Sequence, residues 1–105
     1  MLKVDPKAHQ WFEEELEIKD GEGVHIFGKG YGNTNLHEGV SVGIAVDTPH
    51  DVLVQNNDYR FPYFITEHDD WLIGDGWLEI KYDDENNEPV YYFHETKESL
   101  NEPNH

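Results

Sequence analysis

Seven histidines among 105 residues give this chain a rich supply of side chains that bind metals or transfer protons. Imidazole suits zinc, iron and nickel, but a metal site needs several ligands that converge. No two histidines have the i, i+4 spacing of the helical H-E-x-x-H motif, because His37-Glu38 is followed by Ser41 and not by a second histidine. Singly, each histidine is therefore interpreted as a surface or structural residue.

The segment at residues 39–43 reads Gly-Val-Ser-Val-Gly and matches the G-x-S-x-G elbow of serine hydrolases. That motif works because a strained strand-to-helix turn exposes the serine. Here Ser41 lies within an alternating strand pattern, no helical pattern follows, and the chain is short for the sheet of such an enzyme. The sequence therefore predicts that the chain is not an enzyme, and a small hydrolase around Ser41 stays an alternative that serine-reactive probes would test.

Charge and composition exclude several classes of partner. The chain has no cysteine, which removes disulfides, thiolate ligands and cysteine nucleophiles. Its formal net charge of −16 repels phosphate backbones and anionic membrane surfaces, so no nucleic acid and no membrane is predicted as a partner. Residues 66–105 hold twelve carboxylates against Lys81 and Lys97. This acidic part has two interpretations. It is a binding face for a basic protein partner or for cations, or it is a surface that only keeps the chain in solution.

The beginning of the sequence gives an expectation about location. It reads Met-Leu-Lys-Val-Asp, without the apolar run of a signal peptide, and no stretch approaches membrane-spanning length. A cytoplasmic location is therefore predicted. The length of 105 residues allows one domain, predicted over residues 1–94, with a polar C-terminal tail at 95–105.

The hydrophobic pattern of the elements that must position these residues changes from helical spacing to alternation near Gly21. Asp5 and Pro6 are typical of a helix start. Apolar residues then follow helical spacing, which predicts one helix near residues 5–19; they are Ala8, Trp11, Phe12 and Leu16. Beyond the helix the pattern alternates. Strands are predicted at 24–27, 40–46, 52–54, 59–65, 77–82 and 90–93, with a short helical turn near 66–71.

This pattern predicts a mostly β (α+β) fold of about six strands with one N-terminal helix. One strand supplies a row of apolar residues that should be buried together with Ile80 and Tyr82: Val40, Val42, Ile44 and Val46. Pro62 should lie in an edge strand or at a bulge, because proline cannot donate a ladder hydrogen bond.

The order of several short segments also resembles a known family. The chain reads Val4-Asp5-Pro6-Lys7-Ala8 with Trp11-Phe12, then Gly39-Val40-Ser41-Val42, Gly74-Asp75-Gly76, Ile80-Lys81-Tyr82 and Val90-Tyr91-Tyr92-Phe93. Over about residues 2–94 this order resembles the HesB-like family, the A-type carriers and scaffolds of iron–sulfur assembly. The resemblance implies a β-sandwich or half-barrel and a relation to iron–sulfur cluster biosynthesis.

The chain departs from that family at the residues that hold the cluster. Family members have a cysteine before the strand start and a Cys-x-Cys near the C-terminus. The resemblance places His37 at the first cysteine, and after Phe93 the chain continues His94-Glu95 without a thiol. Lys81 stands where the family often has aspartate. Since thiolates hold such clusters, no cluster and no cofactor is expected. The resemblance implies that any surviving site for a divalent metal is centred on His37, with His94 as second ligand and Glu38 or Glu95 assisting.

Three hypotheses about function follow. The leading one is a cysteine-free HesB-like domain that acts as a protein-binding or regulatory module, with its acidic face meeting a protein partner. The second is a divalent-metal-binding protein that uses histidine and carboxylate ligands, and the third is the Ser41 hydrolase. The identity of the partner and the oligomeric state stay open at this point.

Overall fold

The computed structural model describes residues 1–29 and 42–95, which form two β-sheets and two short helices. The elements are β1 (Leu2–Val4), α1 (Pro6–Glu15), β2 (Gly23–Gly28), β3 (Val42–Asp47), β4 (Val52–Asn56), β5 (Tyr63–Thr66), a 3₁₀ turn (Glu67–Asp69), α2 (Asp70–Ile73), β6 (Trp77–Asp83) and β7 (Glu88–His94). The predicted mostly β, α+β fold is confirmed. The described part of the chain has seven strands where about six were predicted, because β1 is too short to show an alternating pattern.

Helix α1 begins where the sequence predicted and ends earlier. Pro6 is its first residue after Asp5, and Phe12 is completely buried. The helix ends at Glu15, short of the predicted residue 19, because Leu16 takes extended backbone angles. Helical geometry would turn Ile18 away from the side that buries Phe12, whereas the extended segment brings Ile18 into the core.

The larger sheet has the strand order β3-β2-β5-β4. Strand β2 pairs with β3 in antiparallel and with β5 in parallel orientation, and β4 pairs with β5 in antiparallel orientation. Pro62 precedes β5, which is a central strand, so the prediction of an edge position was wrong. The proline is tolerated there because it lies just outside the strand, and its carbonyl accepts a 2.8 Å hydrogen bond from the Val24 amide.

The smaller sheet has the order β1-β6-β7. Strand β1 pairs with β6 in parallel orientation, and β6 forms an antiparallel hairpin with β7. The Asp5 amide donates a 2.8 Å hydrogen bond to the Ile80 carbonyl, which ties the start of α1 to β6. Leu78 and Ile80 on β6 are completely buried.

The core lies between the two sheets and α1. Its buried members come from both sheets, the helix and the connecting segments: Leu2, Val4, Ala8, Phe12, Ile18, Val24, Ile26, Phe61, Tyr63, Ile65, Ile73, Leu78 and Ile80. Tyr82, Val42 and Ile44 pack against it and are partly buried. Val46 is 36% exposed, so its predicted burial was wrong; β3 is an edge strand, and the core does not reach its end. Val40 lies outside the described residues.

No helix within residues 1–29 and 42–95 is long and apolar enough to cross a lipid bilayer.

Candidate functional site

The structure locates one of the two predicted metal ligands. His94 ends β7, and its ring stacks on the Trp77 indole with centroids 4.2 Å apart. The His94 Nε2 atom lies 3.0 Å from an oxygen of Glu79 on the neighbouring strand. His37 lies outside the described residues. The metal site proposed on His37 and His94 therefore stays a prediction, and the described contacts give His94 a packing role on the β6–β7 hairpin.

A chain of hydrogen bonds joins β5 to α1 and has the residue types of a catalytic relay. The Tyr63 hydroxyl lies 2.7 Å from His9 Nδ1, His9 Nε2 lies 3.2 Å from Glu13, and the Arg60 guanidinium donates to Glu13 at 2.6 Å. Because a carboxylate only accepts, Nε2 of His9 carries the proton, and Nδ1 accepts from the tyrosine hydroxyl.

This relay is structural and not catalytic. Tyr63 has no exposed surface, and burial raises the pKa of its phenol far above the ordinary value. Burial also lowers the pKa of His9 below 6.5, although Glu13 opposes this shift. A nucleophile must be reached by its substrate and be deprotonated by its base, and Tyr63 meets neither condition. The relay instead anchors α1 to the larger sheet.

A shallow groove lies between α1 and β6. It has a volume of about 170 Å³ and is lined by Lys7, Gln10, Trp11, Glu14 and Tyr82. Sites for small molecules are usually about 300–1,000 Å³ and mostly apolar. The groove is therefore too small and too polar to indicate a substrate or cofactor site.

Three side chains that the sequence analysis interpreted singly come together on the larger sheet. His25 on β2 pairs with Ala45, and Asp47 lies two residues further along β3 on the same face. His50 follows in the loop after β3. One potential ligand atom from each of His25, Asp47 and His50 lies within 4.8 Å of the other two. We call these three residues the His25 cluster.

Neighbouring groups contact two members of the His25 cluster, His25 and Asp47. The His25 ring stacks on buried Phe64 with centroids 5.0 Å apart and planes at 8°. Burial lowers the pKa of His25, which favours its neutral form. Asp47 accepts a 2.8 Å hydrogen bond from the Thr48 amide, and this interaction holds the pKa of its carboxyl below the ordinary range. The Asp47-x-x-His50 spacing is visible in the sequence, but the approach of His25 depends on the strand register.

Among the residues that the structure describes, two large aromatic side chains are exposed, and they lie on different parts of the molecule. Trp71 on α2 is 47% exposed, and Tyr92 on β7 is 46% exposed. The Trp71 indole packs closely on Gly28, since a Cβ atom at that glycine would lie 2.7 Å from the ring. Exposed side chains of glutamate and aspartate surround the Trp71 segment: Glu67, Asp70 and Asp75. Tryptophan and tyrosine are enriched among the residues that dominate protein interfaces.

Comparison with known proteins gives one informative similarity. No protein-family model matches the chain. The chain is 29% identical over 92 residues to a protein of Bacillus subtilis (strain 168) named pyruvate dehydrogenase inhibitor, and the match spans 88% of this chain and 97% of that protein.

This similarity corrects the identification made from the order of elements. Neither comparison supports a HesB-like protein or a module related to iron–sulfur cluster biosynthesis, because no family model matches and the similar protein is named as an enzyme inhibitor. That interpretation was wrong. The two alternative functions, a metal-binding protein and a serine hydrolase, gain no support from the similarity either. The similar protein is named for inhibiting an enzyme and not for catalysis, in keeping with the prediction for this chain.

Proposed function

We propose that this chain is a protein inhibitor of pyruvate dehydrogenase that acts by binding the enzyme. The observation that carries the proposal is the extent of the similarity, which spans 97% of the inhibitor from Bacillus subtilis and 88% of this chain. A match of that length covers most of both chains, so the similarity is not confined to one local motif. The proposed partner is therefore a protein, and the proposed setting is the cytoplasm.

Trp71 is the proposed anchor of the interface. Its indole packs on Gly28, while the adjacent Leu72 and Ile73 are buried, so the exposed ring is held by a fixed support. A side chain that is already ordered loses little conformational entropy on binding. The acidic side chains of Glu67 and Asp70 beside it supply a polar rim around an apolar centre, which is the usual anatomy of a protein interface.

The charge of the chain supports a basic surface on the partner. A net charge of −16 attracts a positively charged patch over several ångströms and raises the rate of encounter. Such steering is screened as ionic strength rises, because the Debye length falls to about 3 Å at 1 M salt. Inhibition should therefore be stronger at low than at high salt.

The direct experiment measures pyruvate-dependent NADH formation by the pyruvate dehydrogenase of the organism that makes this chain, while increasing amounts of the chain are added. A saturable loss of activity is expected, and the Bacillus subtilis inhibitor with its own enzyme is the positive control. A dehydrogenase that acts on another 2-oxo acid is the specificity control. Full activity at a large molar excess of the chain would contradict the proposal.

A pair of variants tests the position of the interface. Trp71→Ala should raise the half-inhibition concentration about 30-fold, the equivalent of about 2 kcal/mol for an interface anchor. Tyr92→Ala is the matched control, since Tyr92 is equally exposed but lies on the hairpin of the smaller sheet. Equal effects of the two substitutions would refute the assignment of Trp71, and thermal unfolding of both variants checks that they fold.

A further inference from the structure

The His25 cluster combines two imidazoles and a carboxylate at the outer face of the larger sheet. We propose that His25, Asp47 and His50 bind one divalent transition-metal ion, with zinc as the best match to this set of ligands. This inference is independent of the proposed inhibition of pyruvate dehydrogenase. It uses other residues than the site predicted on His37 and His94.

The distances within the cluster are close to those of a zinc site. Zinc lies about 2.0–2.2 Å from nitrogen and oxygen ligands, so ligand atoms around a tetrahedral ion are about 3.4 Å apart. Nε2 of His50 and Oδ2 of Asp47 are already 3.2 Å apart, and the three ligand atoms all lie within 4.8 Å of one another. The side chains of Asp47 and His50 are 49% and 51% exposed, so rotation about their bonds closes the remaining distance.

His25 supplies the observation that points to a ligand. Its Nε2 atom is buried and has no hydrogen-bond partner among the residues that the structure describes. Buried polar atoms are rarely left without a partner, because the lost hydration is not replaced. The ring cannot turn freely towards solvent, since it stacks on Phe64 and contacts Phe27 at 5.5 Å between centroids. One nitrogen of the same ring lies within 4.8 Å of the ligand atoms of Asp47 and His50. A histidine with an unpaired nitrogen beside two potential ligands is better explained as a metal ligand than as an ordinary packed histidine.

The surroundings of the other two residues also suit metal binding. His50 directs Nε2 towards Asp47, while its Nδ1 lies 3.5 Å from a carboxylate oxygen of Asp51. Metal-binding histidines usually offer the second ring nitrogen to such a carboxylate, which orients the ring and raises its basicity. The Thr48 amide occupies Oδ1 of Asp47 and leaves Oδ2 directed towards His50. Three protein ligands leave one position of a tetrahedral ion for water or for a side chain of a partner.

Calorimetric titration of the metal-free chain with zinc tests this site. The wild type should bind one ion per chain, and His50→Ala and Asp47→Asn should each weaken binding at least tenfold. His68→Ala is the matched control, because His68 is an exposed histidine on the neighbouring 3₁₀ turn and should leave the affinity unchanged. No binding by the wild type, or equal loss in His68→Ala and His50→Ala, would overturn the proposal.

A spectroscopic measurement identifies the ligands without any substitution. In the NMR spectrum of the ¹⁵N-labelled wild type, one equivalent of zinc should shift the ring nitrogens of His25 and His50 and leave those of His68 in place. Zinc-dependent shifts confined to other histidines would overturn the assignment even if the ion binds. Thermal unfolding should show that zinc stabilises the wild type but not His50→Ala, because an ion that binds only the folded chain raises its stability.

Discussion

The hydrogen bond between Tyr63 and His9 should contribute measurably to the stability of the domain. Tyr63→Phe keeps the buried ring and removes only the hydroxyl that lies 2.7 Å from Nδ1 of His9. No large cavity forms, so the cost is that of a mostly buried imidazole whose Nδ1 atom has lost its donor, about 1–3 kcal/mol. This is smaller than the about 3–5 kcal/mol expected for Phe12→Ala, which would empty part of the core beside the same ring.

Thermal and urea unfolding measure this effect. A domain of about 100 residues loses about 4 °C in Tm per kcal/mol, so Tyr63→Phe should melt about 4–12 °C below the wild type. A double-mutant cycle with His9→Phe isolates the interaction, because removal of the second partner should then cost less than in the wild type. A Tm within about 1 °C of the wild type, or fully additive effects, would refute the anchoring role of the relay.

Two further perturbations test the same structure. Burial lowers the pKa of His9, so the unfolded chain binds more protons than the folded chain just below pH 6.5. The stability that the neutral imidazole contributes is complete above pH 6.5 and is lost as the pH falls through the lower folded pKa. Urea unfolding between pH 8 and pH 5 should therefore show a smaller loss of stability for His9→Gln than for the wild type. Equal losses in the two proteins would contradict this account. Gly76→Ala should destabilise the domain by about 1–3 kcal/mol, because a Cβ atom there would overlap the backbone carbonyl of His94. Thermal unfolding checks this, and an unchanged Tm would show that β7 moves aside without cost.

Much of the fold follows from local patterns in the sequence. The pair Asp5–Pro6 marks the start of α1, and alternating residues mark most of the strands. Strand β1 was not predicted, because three residues are too few to show an alternating hydrophobic pattern. Its pairing with β6 nevertheless buries Leu2 and Val4. The exposure of Val46 could not be predicted either, since it depends on β3 lying at the edge of its sheet.

The His25 cluster shows why the site was harder to predict than the fold. Asp47 and His50 are near each other in sequence, but His25 joins them only through the register in which Gly23 lies opposite Asp47. Sequence spacing between β2 and β3 does not define that register, which depends on burial of one face of each strand. The prediction of His37 and His94 as metal ligands rested on a resemblance in the order of elements, and common elements occur in the same order in unrelated proteins.

The proposal that this chain inhibits pyruvate dehydrogenase by binding it is tested most directly by measuring binding and inhibition in one set of conditions. Calorimetric titration of pyruvate dehydrogenase with this chain gives a Kd, and pyruvate-dependent NADH formation gives the concentration that halves the activity. Inhibition by direct binding predicts saturable binding, with a half-inhibition concentration that agrees with the Kd when the enzyme concentration is well below it. Absence of binding, or binding that leaves the activity unchanged at saturation, would contradict the claim.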